Sequence, residues 1–96
     1  MVRYLSLLSF TDQGIRTIDK TGERAGRFRA AVEAAGGKLT ALYWAVGEFD
    51  GAFVIEVPDD ATATRLLLAL GKLGNVRTRT LRVYNESEFQ AVLGKM

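Results

Sequence analysis

Cysteine and histidine are both missing from these 96 residues, and the two absences remove much of the chemistry open to a small protein. Without cysteine there is no disulfide framework and no thiolate metal site, so the fold must hold by burial and hydrogen bonding alone. Without histidine, the commonest general base near neutral pH and the commonest nitrogen ligand are gone. Zinc, copper and haem sites built from the usual side chains are thereby disfavoured, and serine nucleophiles lack their ordinary base. No resident metal or cofactor is expected. The glycines are scattered at turns and helix ends, and no phosphate loop or dinucleotide fingerprint occurs. No apolar run approaches the roughly 20 residues of a membrane span. The Tyr4 to Phe10 run, interrupted by Ser6 and Ser9, is too short for a secretory signal. A cytoplasmic location is expected, with no membrane role.

What is present describes a globular domain. Apolar residues make up 48% and charged residues 25%, the balance of a chain that folds by itself or with copies of itself. A length of 96 residues predicts one domain, spanning 1–96. The net charge of +2 is mild, yet no acid falls between Ala61 and Asn85, while Arg65, Lys72, Arg77, Arg79 and Arg82 all do. Such a stretch is either a solvated basic face or a surface that meets an anion.

Periodicity supplies the order of elements. Tyr43 to Val57 reads as a β-hairpin, two apolar runs divided by Gly47-Glu48-Phe49-Asp50-Gly51, a turn in which at least one glycine should hold positive φ. Before it, Arg3 to Phe10 places Leu5 and Leu7 on one side and Tyr4, Leu8 and Phe10 on the other, a strand apolar on both faces. Thr11-Asp12-Gln13-Gly14 breaks that strand, and Ile15, Ile18, Ala25, Phe28, Val32 and Ala35 then recur at helical spacing. The longer helix should run from about Glu23 to Ala35 and stop at Gly36-Gly37. Leu39 to Val46 returns to period two, with Leu39, Ala41, Tyr43 and Ala45 opposing Thr40, Leu42, Trp44 and Val46. Pro58 ends the second hairpin strand, and Asp59-Asp60 opens a helix striped by Ala63, Leu66, Leu67, Leu70 and Leu73. Val76 to Tyr84 is a fourth strand, and Asn85 with Glu88 starts a last short helix as a capping box.

The order β-α-β-β-α-β with a helical tail is that of a ferredoxin-like α+β sandwich, an antiparallel four-stranded sheet with two helices on one face. Because neither face of the first two strands is polar, an apolar patch is left on whichever side the helices do not cover. A second copy meeting it sheet to sheet would bury both patches, so a homodimer or a higher homo-oligomer is expected.

Gly47-Glu48-Phe49-Asp50, with Tyr43-Trp44 before it, Glu56-Val57-Pro58-Asp59-Asp60 after it and Gly74-Asn75-Val76-Arg77-Thr78-Arg79-Thr80-Leu81 later, resembles the GYD domain family over nearly the whole chain. These are small, mostly bacterial and archaeal proteins of unknown function. The tyrosine expected in the named turn is Phe49 here, a ring without a phenolic hydroxyl. The resemblance implies a fold similar to the dimeric α/β-barrel group, in which two ferredoxin-like sheets pack face to face, and it carries no settled activity.

Candidate site residues follow from what chemistry is left. Glu48 and Asp50 lie one residue apart in the turn, where they either form a carboxylate pair or serve as a solvated acid and a turn cap. Glu56 interrupts an apolar strand and should find a charged partner or a pocket edge. Tyr43 and Trp44 project to opposite faces, as core or interface packing or as the wall of an apolar pocket. Fold analogy favours a small molecule bound between sheet and helices, with Tyr43, Trp44, Glu48, Phe49, Asp50 and Arg77 as candidate lining residues. The alternative is a regulatory or assembly module without catalysis, sensing an anion through Arg77, Arg79 and Arg82. RNA ranks lower, because the fourth strand carries threonines and arginines where an RNA-binding sheet of this topology needs stacking aromatics.

Overall fold

The computed structural model describes all 96 residues. In chain order they form β1 (Val2–Phe10), α1 (Asp12–Arg16), a 3-10 turn (Ile18–Lys20), α2 (Thr21–Ala34), β2 (Lys38–Trp44), β3 (Gly51–Val57), α3 (Asp60–Lys72), β4 (Val76–Val83) and α4 (Glu86–Leu93). The sheet order is β2-β3-β1-β4 with every pair antiparallel, the ferredoxin-like arrangement. The two central strands are therefore β3 and β1, which explains why β1 carries bulk on both sides.

Helix ends follow local chemistry. Asp59 accepts from the Thr62 amide at 2.8 Å and from its hydroxyl at 2.7 Å, fixing the start of α3. Asn85 and Glu88 close a reciprocal capping box at α4. α2 begins two residues before the expected Glu23, because the 3-10 turn leads straight into it: Thr21 already has helical angles and its amide bonds to the Ile18 carbonyl. Gly22 is thus helical, a tolerated cost of about 1 kcal/mol. At the far end Gly36 takes φ +84°, and the Gly37 amide returns to the Val32 carbonyl at 2.9 Å.

Residues directly opposed in a ladder share a face. Ser6 opposes Phe53, Tyr4 opposes Ile55 and Val2 opposes Val57, and these point toward α2 and α3, where the Phe28 ring meets Phe53 edge-on with centroids 5.0 Å apart. The buried core is Leu8, Val32, Leu39, Phe53, Ile55, Val57 and Ala63. Ser6, also fully buried, shares a hydrogen bond with the Thr80 hydroxyl at 2.8 Å.

In β2 the expected alternation is broken. Leu39 opposes Ile55 while Ala41 opposes Val54, so the chain bulges at Thr40 and the phase shifts. Leu39 consequently joins Leu42 and Trp44 on the helix side instead of Ala41 and Tyr43. The strand also ends at Trp44, leaving Val46 fully exposed in the Ala45 to Asp50 loop, which an Ala45 amide to Asp50 carbonyl bond closes at 2.8 Å.

Gly47 holds the expected positive φ, +144°. Gly51 is required for a different reason: a Cβ there would lie 2.8 Å from the Tyr43 carbonyl oxygen and 3.2 Å from the Trp44 ring. Gly51→Val should cost about 1–3 kcal/mol by overpacking, whereas Gly26→Ala, on an open helix surface, should gain about 0.5–1 kcal/mol. Urea unfolding measures both; equal midpoints for Gly51→Val and the parent would contradict the close approach.

Candidate functional site

α2 is held to the sheet by Phe28 and Val32, while Ala25 and Ala31 of α2 and Ala69 of α3 offer little bulk toward the same space. A pocket of about 310 Å³ consequently opens between these helices and the sheet, walled by Leu8, Phe10, Leu39, Leu42, Trp44 and Phe53 below and by Leu66 and Leu70 of α3 and Leu73 just past its end. Trp44 stacks on Phe10 with centroids 6.2 Å apart and makes one wall. Thr21, Arg24, Arg27 and Asn75 are the only polar residues among those lining it.

Two of these carry an unpaired polar atom. The Thr21 hydroxyl and the Arg24 Nη1 are both buried with no hydrogen-bond partner, although Arg24 Nη2 donates to the Thr17 hydroxyl. Arg24 makes no ion pair; the pairs present are Arg3 with Glu56, Arg3 with Glu88, and Arg27 with Glu23. A buried donor left unmade costs about 1–3 kcal/mol, and more when charged. Thr21 and Arg24 are three apart, hence neighbours on one helix face, and Arg24 precedes Phe28 by four. The sequence signal for this pair is a charged residue at helical spacing from the apolar stripe of α2, which a count of apolar positions does not include.

The expected site residues separate. Trp44 lines the pocket. Asp50 borders a shallower depression next to it, shared with Phe10, Thr21 and Trp44, and its Oδ2 accepts from the Phe10 amide at 2.8 Å while its own amide donates to the Leu8 carbonyl. Asp50 thus ties the hairpin loop to the end of β1. Glu48 is exposed in the loop. Tyr43 opposes Ala52 and points to the other face, 69% exposed. Phe49 lies beneath the Arg79 guanidinium at 5.9 Å, and Arg77 and Arg79 share that open face. Arg82 does not join them: it opposes Tyr4 on the helix side, 4.3 Å over the Tyr84 ring, and donates to the Val83 carbonyl.

The open face is apolar across all four strands. Ala41, Val54, Leu5 and Leu81 form one row, and Tyr43, Ala52 and Leu7 lie in the next, ending at Arg79. Lys38, Glu56, Arg3 and Val83 form the rim, where Glu56 meets Arg3 at 3.4 Å and Glu88 of α4 grips the same guanidinium. The partner sought for Glu56 is therefore Arg3. α4 leaves the face uncovered: Leu81 is 52% exposed, and its own Phe89, Val92 and Leu93 are 50, 47 and 43% exposed.

The fold brings no three carboxylates together as a cation site, and no helix is long and apolar enough to cross a membrane. Three groups titrate away from their ordinary values. The hydrogen bond to Asp60, aided by desolvation, raises the Tyr4 phenol. The Thr62 hydroxyl and amide lower Asp59, and the Asn85 amide followed by Arg3 lowers Glu88.

A ferredoxin-like sheet with an apolar pocket on its helix side and an apolar open face defines the chain as a small α+β domain. The GYD domain model matches residues 4–93, and the chain belongs to the GYD domain family. It is 34% identical over 82 residues to the glutamine synthetase and cystathionine beta-lyase binding protein of Thermus thermophilus, covering 84% of this chain and 86% of that protein. Among solved structures it is similar to a glycine-to-threonine mutant of Rv3291c, with a TM-score of 0.66 at 16% identity. It also resembles the leucine response regulatory protein LrpA of Mycobacterium tuberculosis, with a TM-score of 0.56 at 18% identity. Each covers 88% of this chain, which spans only 51% of either one. The likeness to these two is one of fold.

Because Asp59 and Glu88 are held below their unfolded values, their caps contribute fully above the ordinary carboxylate range and are lost as pH falls through the lowered folded values. The melting temperature of the parent should therefore fall faster between pH 5 and 3 than that of an Asp59→Asn, Glu88→Gln variant, which starts lower at neutral pH. Parallel pH profiles would remove these two carboxylates from the account.

Proposed function

We propose that this protein is a small-molecule-binding module of the cytoplasm that works as a homodimer, taking its ligand in the pocket between the sheet and helices α2 and α3. The pocket carries the proposal. Its volume of about 310 Å³ stands at the lower end of known ligand sites, and it has their composition, an apolar wall with a few polar groups. The lining favours binding over catalysis, since it offers no carboxylate, tyrosine or lysine, and guanidinium groups do not exchange protons near neutrality.

The open face supports the dimer. Its apolar rows with charges confined to the edge match the core and rim of a protein interface, and the two halves of a two-fold contact would be the same surface. Arg3 and Glu56 already neutralise each other at the rim, which leaves Lys38, Arg77 and Arg79 as the unpaired charges at the edges of the face.

A second reading is favoured by the name of the Thermus thermophilus relative: an adaptor that binds metabolic enzymes, using the open face or α4 as its docking surface. Glutamine synthetase retained by a monomeric form of this chain would select that reading over the dimer.

Thermal shift with millimolar aromatic and isoprenoid-like compounds tests the pocket. A binder should raise the melting temperature by about 4–8 °C for each kcal/mol of linkage, and Ala69→Met, which fills the space, should abolish the rise. The absence of any shift across the panel would defeat the pocket.

Light scattering at micromolar concentration tests the dimer. A mass near twice 10.5 kDa is expected, lost on Tyr43→Glu and retained on Trp44→Glu, because the two residues lie on opposite sides of the sheet. A clean monomer for the parent chain would end it.

A further inference from the structure

Resting on the reading of the pocket as a ligand site, we infer that its ligand is an amphiphile with a single carboxylate head, held by Arg24 and Thr21 at the start of α2, and an apolar tail lying on Phe53 and Leu70. The two unpaired atoms are what point to the head. Buried polar groups in folded proteins are almost always partnered, yet here a guanidinium nitrogen and a hydroxyl, three residues apart on one helix face, are both buried and both without one. Thr21 and Arg24 themselves line a pocket whose other walls are nearly all apolar, so a turn of either side chain would bring its unpaired atom to that space. An incoming carboxylate supplies the acceptors that both lack, and charge-assisted bonds from arginine are among the stronger ones available.

Surrounding groups do not do this from within the chain. Arg27, the other cation on the pocket, is committed to Glu23 at 3.0 Å. Asp50 borders the adjacent depression and is occupied by the Phe10 amide. Thr17 accepts from the second guanidinium nitrogen and so holds Arg24 in place. One uncompensated positive charge fits a monoanion better than a dianionic phosphate. The volume of about 310 Å³ has room for about ten water-sized groups, which sets the length of the tail.

Octanoate is a probe of that size, with octan-1-ol and octyl phosphate as matched heads, each titrated calorimetrically into the full chain and into Arg24→Met and Thr21→Val. Octanoate should bind the parent at least tenfold more tightly than octan-1-ol. Arg24→Met should remove that advantage while leaving octan-1-ol within about twofold, which also shows that the variant keeps its pocket. Thr21→Val should lose part of it. Equal affinity of the parent for octanoate and octan-1-ol would overturn the carboxylate head and leave the pocket standing, and an advantage that survives Arg24→Met would overturn Arg24 as the group that holds the head. Tighter binding of octyl phosphate would overturn the choice of monoanion. Binding of none of the three would overturn the head group and the pocket together.

Discussion

The edge-on contact between Phe28 and Phe53 sets the distance between helix α2 and the sheet, and most of the helix side depends on that distance. Phe53 lies in a central strand and is almost fully buried, so its ring cannot retreat, and Phe28 rests on it at 5.0 Å between centroids. A helix propped by one aromatic ring and flanked by Ala25 and Ala31 cannot also settle onto Leu42 and Trp44. Close packing is the norm inside proteins, and voids larger than a water molecule are few. The space beneath α2 is therefore a consequence of which residue types face inward there, two of them too short and one too large.

The opposite face is governed by counting. Two helices cover one side of a four-stranded sheet, and α4, which might have crossed to the other, is held at the rim by Glu88 on Arg3 and by Phe89 against Tyr84 with centroids 6.4 Å apart. The apolar rows through Leu5, Leu7, Val54 and Leu81 thus remain available. A strand such as β1 that is apolar on both faces is what a sheet buried on both sides requires, and only half of that requirement is met within one chain.

Much of this architecture was legible because it rests on short-range chemistry. Asp59 and the Asn85 to Glu88 box cap the helices that their sequence positions assign them, and the glycines of the hairpin loop lie where the chain must turn. The bulge at Thr40 was not legible, since a one-residue slip is set by the partner strand, and it reversed the company of Leu39. The side chosen by Tyr43 and Trp44 likewise depends on the hairpin's place in the sheet. Arg82 differs: strand parity alone separates it from Arg77 and Arg79, so grouping the three as one anion surface set aside a rule that the sequence already contained.

Arg24 shows where periodicity has more to give than a list of apolar positions. The stripe of α2 runs through Ala25, Phe28 and Val32, and helical spacing places Thr21 and Arg24 on the same side. A polar residue on a buried stripe is the exception worth pursuing, because burying it without a partner is costly. The apolar count passes over Arg24 for the very property that matters, its charge. Placement on the stripe does not by itself mean an unmet need, since a side chain as long as arginine can lie along apolar surface and still reach water. Here the second guanidinium nitrogen is fixed on Thr17, which keeps the head turned inward, and the first is buried. That difference between reaching water and being held from it requires three dimensions, and it separates an ordinary helix arginine from one that lacks an acceptor.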